Sequence, residues 1–481
     1  MCMEKLKTRT GIIQFVIAAV VGIVIAFIPE SELLTREAMI FLGIFIWFVL
    51  MCVFDLAPLH VTTLALLLLC VLTKIQTIPQ AFGPFGSATV WLVFGVLSFA
   101  AALGTSGFLT RLALWILRLF PPSFSGIVTA LTAVPVVLGP AIPSTTAKAT
   151  LIASLAVPMA EEAGYEKNSR QSAGVFTAFF APILLFSPIF LTGAVLVTSM
   201  LALLPSMEFS WLSWLQATWL YGVISLVLCF IFVLFFFGPR GEERKAAKAA
   251  RAELKARGEK PVNPASAKLT ELGPMKKNEL IGLVAMIATL ALWLTESFHG
   301  INTATVAIAV VLIMTFLGVF TPADYQTKIP WTIIIITGAI LNLIALFTQF
   351  GISTWLGSLL GPVLSFASNP YLMILIMAVI SLVLRFFIPS QLTIVVVMLA
   401  VFGGIASAVG ISPFVIVFAT FMASSTWQMP FNSSVFVAVK GITDKMVEHK
   451  HLRIGSYGTW VCVTIALLAS VPLWQIIGYI A

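Results

Sequence analysis

Long apolar runs follow one another along almost the whole chain, and few charges interrupt them. Only 10% of the 481 residues are charged and 60% are hydrophobic, whereas an ordinary soluble domain carries about 25% charged residues. This small number of charges cannot cover a water-facing surface. Most side chains must therefore face lipid or other apolar helices. The runs therefore predict an all-α polytopic membrane protein embedded in a lipid bilayer, which excludes soluble enzymes and nucleic-acid-binding proteins.

Eleven of the runs are expected to cross the membrane. They are Gly11–Ile28, Ala38–Phe54, Pro58–Leu72, Thr89–Gly104, Ser172–Leu203, Ala217–Phe237, Leu280–Leu294, Thr303–Phe320, Trp331–Phe347, Pro413–Val439 and Tyr457–Ile480. Seventeen of the 46 formal charges fall between Arg240 and Glu279. Because basic loops stay in the cytoplasm, this distribution predicts a cell-membrane protein with a cytoplasmic amino terminus and an external carboxyl terminus.

Two further apolar stretches, 126–160 and 370–409, are each interrupted near their middle. The first is interrupted by Pro135, Gly139, Pro140 and Pro143, and the second at Ile388–Ser390. Each arm is shorter than the roughly 20 residues that a crossing needs. We therefore expect two re-entrant hairpins, whose non-helical tips are tolerated only where protein or a wet cavity surrounds them.

The two interrupted stretches belong to an internal repeat. Pro143 and Pro389 are 246 positions apart, as are Gly164 and Gly410. Four crossings precede the first hairpin and three precede the second, which makes the repeat inverted, an arrangement associated with alternating access. The expected domains are a first repeat with six crossings (1–238), a charged cytoplasmic linker (239–279) and a second repeat with five crossings (280–481).

Polar residues collect at the hairpin tips and at breaks in two later runs. Hydroxyls, amides and free N–H groups at a helix start suit an anion, and polar groups within apolar segments are candidate sites by default. A single Ser or Thr more often bonds its own helix, but the recurrence in both halves favours a binding site. The candidate substrate-binding residues are Ser144, Thr145, Thr146, Lys148, Thr192, Ser390, Gln391, Asn432 and Ser433.

Lys148 is the most informative of these residues. It lies four positions after Ser144 in an apolar segment, where an ammonium costs about 2.5–3.5 kcal/mol. It could offer a fixed positive charge to a carboxylate, or it could extend to the cytoplasmic surface. Arg385 presents the same alternatives, whereas Arg111 and Arg118 are expected to extend to the surface from an amphipathic stretch.

These motifs resemble those of a known family, the divalent anion:sodium symporters. The tip IPSTTAK is similar to the family's Ser-Asn-Thr signature, and MPFNSSVF is similar to its Pro-Pro-Asn segment. The resemblance covers most of both halves. It implies an elevator-type homodimer in which a small di- or tricarboxylate binds between the two hairpin tips, with sodium ions beside them.

The chain departs from the sodium-site pattern of that family. Thr145 and Gln391 stand where the two signatures have Asn, and Leu392 removes a hydroxyl. If sodium binds, a weak site is expected near Ser144, Gly193, Ser390 and Asn432. Since Lys148 could replace a sodium ion, no cofactor is required and sodium-independent exchange is the preferred mechanism.

The predicted function is secondary active transport of succinate, malate, 2-oxoglutarate or citrate-like acids. Sodium-coupled symport of a dicarboxylate and transport of sulfate or another inorganic anion are the alternatives. A channel is a further rival. An intramembrane enzyme is not expected, because the three aspartates and four histidines form no protease motif, which leaves Ser144 with Lys148 as the only dyad.

Overall fold

The computed structural model describes residues 8–30, 34–204, 207–241, 243, 249, 264–352, 355, 369–388, 390–429 and 433–481. Within these ranges the regular elements are helices, and Ile411 and Ile480 form only an isolated bridge. The predicted all-α class is confirmed. Most of the predicted linker (239–279) lies outside the described residues.

Eleven α-helices form the first half. They are α1 (Arg9–Phe27), α2 (Arg36–Val53), α3 (Leu59–Leu72), α4 (Ile78–Phe82), α5 (Ala88–Ser106), α6 (Phe108–Arg118), α7 (Phe124–Leu138), α8 (Thr145–Glu162), α9 (Arg170–Leu185), α10 (Val195–Leu201) and α11 (Trp211–Phe237). A 3₁₀ turn, Ser187–Ile189, lies between α9 and α10.

The described part of the linker and the second half contain twelve more. They are α12 (Pro264–Leu272), α13 (Lys277–Leu294), α14 (Glu296–His299), α15 (Thr303–Phe316), α16 (Pro322–Thr327), α17 (Trp331–Gln349), α18 (Pro370–Phe387), α19 (Gln391–Ala408), α20 (Pro413–Ala423), α21 (Ser434–Thr443), α22 (His449–Ala469) and α23 (Val471–Ile476).

Nine helices in the described ranges are long and apolar enough to span a membrane. Eight of them match predicted crossings, and the ninth is α18, the first arm of the second hairpin. Helices α3 and α15 have only 14 residues each, or about 21 Å at 1.5 Å per residue, so these two predicted crossings are shorter than expected. The predicted crossing Pro413–Val439 is divided into α20 and α21.

Both predicted hairpins have the expected helix–break–helix form. Helices α8 and α19 each have 18 residues and begin 246 positions apart, at Thr145 and Gln391. Gly164 and Gly410, which follow them, both adopt a φ of +73°, a left-handed conformation that favours glycine. Pro140 and Pro143 explain the first break, because proline has no N–H to continue the helical hydrogen bonds. The interruption expected at Pro135 was wrong, since this proline lies inside α7, which continues to Leu138.

The two halves pack into each other reciprocally. Helix α8 leaves the first tip and packs against α21, the second part of the broken helix of the other half. Helix α19 leaves the second tip and contacts α10, the corresponding part in the first half. Helix α9 lies at the centre, where 94% of the residues in its apolar stretch are buried. Each tip is therefore held in a structure to which both halves contribute.

Backbone hydrogen bonds also hold the loops that follow α8 and α19. Asn168 N donates to Met446 O at 3.0 Å, and Glu448 N donates to Asn168 Oδ1 at 2.7 Å. Elsewhere, Ser412 N donates to Tyr479 O at 2.9 Å and Ala481 N donates to Gly410 O at 2.9 Å. The loops after α8 and α19 are therefore each pinned by backbone hydrogen bonds.

Arg111 does not extend to the surface as predicted. It is only 4% exposed, and its guanidinium lies 2.9 Å from Glu279 Oε2. It also donates to Gly273 O at 2.9 Å and to Pro274 O at 3.2 Å. The prediction from the local amphipathic pattern was wrong because the partner of Arg111, Glu279, is 168 positions away along the chain. Arg118 is exposed, as expected.

Helix α12 connects this ion pair to the first hairpin. Its end is fixed through Gly273 to Arg111, and it packs against both α6 and α8. Lys268 Nζ donates to Ser154 O of α8 at 3.5 Å. The end of the linker is therefore part of the folded body.

We expect Glu279→Leu to lower the free energy of unfolding by about 3–5 kcal/mol, because it leaves the buried Arg111 guanidinium without its carboxylate. The double variant Arg111→Leu/Glu279→Leu should recover much of this loss. Unfolding in detergent measures both. Lys450→Leu is the control, since its pair with Glu448 is exposed and should contribute less than about 1 kcal/mol. Equal effects of Glu279→Leu and Lys450→Leu would contradict the assignment of a stabilising buried pair.

Candidate functional site at two helix breaks

The first hairpin tip, residues 139–144, is attached to the break that follows α9. Val195 N donates to Pro143 O at 3.0 Å, and Thr192 Oγ1 donates to Pro140 O at 2.8 Å. Ser144 caps α8 by accepting a hydrogen bond from Ala147 N at 3.1 Å. Carbonyls that the prolines leave without helical partners are thus satisfied by the neighbouring break.

Helix α11 donates hydrogen bonds to two carbonyls of the first break and to the hydroxyl of Thr192. Trp214 Nε1 donates to Pro188 O at 3.1 Å, and Thr218 Oγ1 donates to Ile189 O at 2.8 Å. Trp211 Nε1 donates to Thr192 Oγ1 at 3.2 Å. These three residues were not predicted from the sequence, although their spacing of three and four positions on an apolar helix places them on one face.

Lys148 lies immediately behind the first tip. Its side chain is 0% exposed, and Nζ donates to Gly193 O at 2.6 Å. The side chain therefore does not extend to the protein surface, which removes one of the two alternatives given by the sequence. Because an ammonium is costly to bury, its position at the junction of tip and break makes it the main electrostatic feature there.

The side chains at the front of the first tip remain accessible. Ser144 and Thr145 are half-buried and Thr146 is exposed, whereas Thr192 is buried behind them. The amino end of the 18-residue helix α8 points at the same place. Hydroxyls, a helix amino end and a nearby ammonium together provide an environment that favours an anion.

The side chains that cap α19 and join it to α20 are neutral. Ser390 caps α19 and accepts hydrogen bonds from Thr393 N at 3.2 Å and Thr393 Oγ1 at 2.8 Å. Gln391 Nε2 donates to Phe421 O at 2.8 Å and to Ser425 Oγ at 2.7 Å. Gln391 thus joins this tip to α20 and the second break, as Lys148 joins the first tip to the first break.

Arg385, the other sequence candidate near this tip, is also buried. It is 4% exposed, and Nη1 donates to Ile388 O at 3.4 Å, just before the tip. Its guanidinium therefore bonds the chain end of its own helix.

The second break is anchored to α22. Trp427 N donates to Ser456 Oγ at 3.0 Å, and His449 Nε2 donates to Trp427 O at 3.0 Å. Ser433 caps α21 by accepting a hydrogen bond from Phe436 N at 3.2 Å. Asn432 lies outside the described residues. The segment 424–428 was not predicted to belong to the site, although its four polar residues, Ser424, Ser425, Thr426 and Gln428, could have indicated it within an apolar span.

Of the residues predicted for a weak sodium site, Gly193 accepts a hydrogen bond at its carbonyl from Lys148 Nζ, Ser144 and Ser390 cap α8 and α19, and Asn432 lies outside the described residues.

Comparison with known proteins gives a family match over nearly the whole chain. The model described as "Sodium:sulfate symporter transmembrane region" matches residues 9–480. The spinach protein "Dicarboxylate transporter 1, chloroplastic" is 26% identical over 404 residues, covering 82% of this chain and 68% of that protein. The Escherichia coli "Inner membrane protein YbhI" is 28% identical over 336 residues, covering 68% of this chain and 67% of that protein. The chain thus spans about two thirds of the length of both relatives.

One solved structure has a comparable fold. The crystal structure of the Alcanivorax borkumensis YdaH transporter is similar with a TM-score of 0.53 and 14% identity, covering 98% of this chain and 97% of that one. At this identity the similarity concerns the arrangement of helices alone.

We expect Gly193→Ala to destabilise the first break. A Cβ at Gly193 would collide with Ser187 O and press on Phe190, so the segment must shift and move its carbonyl away from Lys148. Gly104→Ala is the matched control, because a Cβ there meets nothing within 4 Å and alanine favours the helix. Thermal unfolding should show a lower midpoint for Gly193→Ala and an equal or higher one for Gly104→Ala. Equal midpoints for both would show that the break is not tightly packed.

Proposed function

Since the chain belongs to the sodium:sulfate symporter family, the divalent anion:sodium symporters, we propose that it exchanges small di- or tricarboxylates across a membrane without sodium. It is a multi-pass membrane protein and an anion transporter rather than an enzyme. The observation that carries the proposed exchange is the buried Lys148 ammonium, bonded to Gly193 O between the first tip and its break.

The proposed substrates are acids of the succinate, malate, 2-oxoglutarate and citrate class. A relative named as a dicarboxylate transporter supports this choice. So does the combination of one buried cation with two capped helix starts, since two carboxylates need donors at two places. The family description names sulfate, so an inorganic dianion is the alternative cargo, and sodium-coupled symport of a dicarboxylate is the alternative mechanism.

Exchange follows from the charge of the empty site. With no substrate bound, the Lys148 ammonium has a carbonyl but no anion as its described hydrogen-bond partner. Carrying an uncompensated charge through the hydrocarbon is unfavourable, whereas a bound dianion compensates it. The loaded carrier therefore crosses more easily than the empty one, and uptake of one substrate requires release of another.

We further propose that the movement is of the elevator type. The hairpins and broken helices pack on each other through α8 with α21 and α19 with α10, which supports their moving as one body. The inverted repeat of 1–238 and 280–481 joined by the linker 239–279, the cytoplasmic amino terminus, the external carboxyl terminus and the homodimer are parts of the same proposal.

Within this body we assign different roles to the predicted site residues. Ser144, Thr145, Thr146 and Ser390 are half-buried or exposed and are proposed to contact the substrate. Lys148, Thr192 and Gln391 bond the breaks and are proposed to hold the tips and supply charge. Ser433 and Asn432 are proposed to contribute from the second break.

Counterflow in liposomes tests the coupling. Vesicles preloaded with succinate should take up labelled succinate or malate, and empty vesicles should not, with equal rates in sodium and in choline buffers. Sulfate-loaded vesicles test the alternative cargo. Uptake into empty vesicles driven by an inward sodium gradient would overturn the exchange proposal.

We expect Lys148→Met, which keeps the length of the side chain but removes the charge, to weaken dicarboxylate binding by about ten- to a hundredfold, the value of a charge-assisted hydrogen bond. Lys148→Arg should restore it only in part, because a guanidinium needs a wider, planar pocket. Lys268→Met is the control for affinity, since this partly buried lysine also donates to a carbonyl of α8. Unchanged affinity in Lys148→Met, measured by counterflow and thermal shift, would remove the electrostatic basis of the proposal.

A further inference from the structure

The second break contains buried polar groups that have no hydrogen-bond partner among the described residues. Gln428 is 1% exposed, and both its Nε2 and its Oε1 lack such a partner. So does the buried hydroxyl of Thr426, two positions earlier. Burying a polar group without a partner is costly, so these groups require an explanation.

The surroundings of Trp427 indicate which side of the break these groups face. Its ring packs against Phe180 of α9 at 5.1 Å, and its backbone bonds Ser456 and His449 of α22. The side of the break that Trp427 occupies is therefore filled by α9 and α22. Trp427 Nε1 is also buried without a hydrogen-bond partner among the described residues. Since successive side chains of extended backbone point to opposite faces, Thr426 and Gln428 would face away from the side that Trp427 occupies.

The second hairpin lies next to the same segment. Helix α20, which leads into the break, packs against both α18 and α19. At the tip between them, Gln391 Nε2 reaches Ser425 Oγ at 2.7 Å, three positions before Gln428. The unpaired amide is thus in the segment to which the second tip is bonded.

We propose that Gln428 is a specificity-determining residue whose amide N–H donates to the carboxylate of the substrate farther from Lys148. This inference rests on the proposed function and adds that the two ends of the substrate are bound by different groups. The first tip neutralises one carboxylate with an ammonium, whereas the second break offers the neutral donors of Gln428 and Thr426, and the buried Arg385 guanidinium near this tip bonds Ile388 O at the end of its own helix. Such a site takes a substrate with two carboxylates, of which one is held by charge and the other by hydrogen bonds.

This difference between the two ends of the substrate gives a test that distinguishes substrate binding by Gln428 from a packing role. Gln428→Glu replaces the amide donor with a carboxylate acceptor of the same shape. The variant should reject succinate and prefer its half-amide succinamate, whose –NH₂ can donate to Glu. Gln428→Leu should bind succinate about ten- to a hundredfold more weakly, while the ligand-free protein keeps or gains thermal stability because an unpaired amide is removed.

Gln76→Leu is the matched control. Gln76 is a buried glutamine whose amide is fully engaged, donating to Asn342 Oδ1 at 2.9 Å and accepting from Asn342 Nδ2 at 2.8 Å. This variant should lower the stability of the ligand-free protein, because it leaves Asn342 unpaired, without changing the ratio of succinate to succinamate affinity.

Affinities for succinate, succinamate and sulfate are measured by thermal shift on purified full-length protein, with counterflow as the second readout. A reversed succinate-to-succinamate preference in Gln428→Glu supports the inference. A wild-type ratio in that variant, or a Gln428→Leu that loses stability as Gln76→Leu does and keeps the ratio, overturns it. Failure of the proposed function gives a different result, in which the wild-type protein itself shows neither binding nor exchange of succinate.

Discussion

A helix that stops inside an apolar body leaves carbonyl and N–H groups that water cannot reach, and each must find a partner in the protein. The arrangement of this molecule follows from that requirement at two places. At the first break, Trp214 and Thr218 of α11 donate to the carbonyls of Pro188 and Ile189, and Lys148 donates to Gly193. At the second, Gln391 serves Phe421, and α22 bonds both backbone groups of Trp427. Because these donors come from different helices, the breaks fix how the surrounding helices pack.

The two breaks are similar in construction and different in charge. In each half, a side-chain nitrogen near the start of the second hairpin helix donates to a carbonyl outside the hairpin. Lys148 of α8 bonds Gly193 O, and Gln391 of α19 bonds Phe421 O. The two joints use different positions of the repeat, because Gln391 corresponds to Thr145 and Lys148 lies three positions later in its helix. The cationic side chains near the two tips also differ in their partners: Lys148 bonds the break that faces its tip, whereas Arg385 bonds Ile388 O at the end of its own helix.

Much of this fold could be predicted because its signals are local. α7 ends at Leu138, directly before the expected interruption at Gly139 and Pro140, and the offset of 246 located the capping residues Ser144 and Ser390. What could not be predicted depends on distant partners. Arg111 was expected at the surface because its carboxylate, Glu279, is 168 positions away, and nothing local marks Gln76 and Asn342 as an amide pair 266 positions apart. Gln428 was missed for a related reason, since its significance lies in the lack of a partner, which only coordinates reveal.

Helix α12 links this chemistry to a part of the chain far from the breaks. One of its ends is held by Arg111 through Gly273, while its side rests on α8. If α8 slides past α6, the anchor at Arg111 stays and the contact with α8 must part, including the bond from Lys268 to Ser154. On the proposed elevator movement, the contact between α12 and α8 would hold α8 in this position, and its strength would affect the rate of transport without changing the substrate.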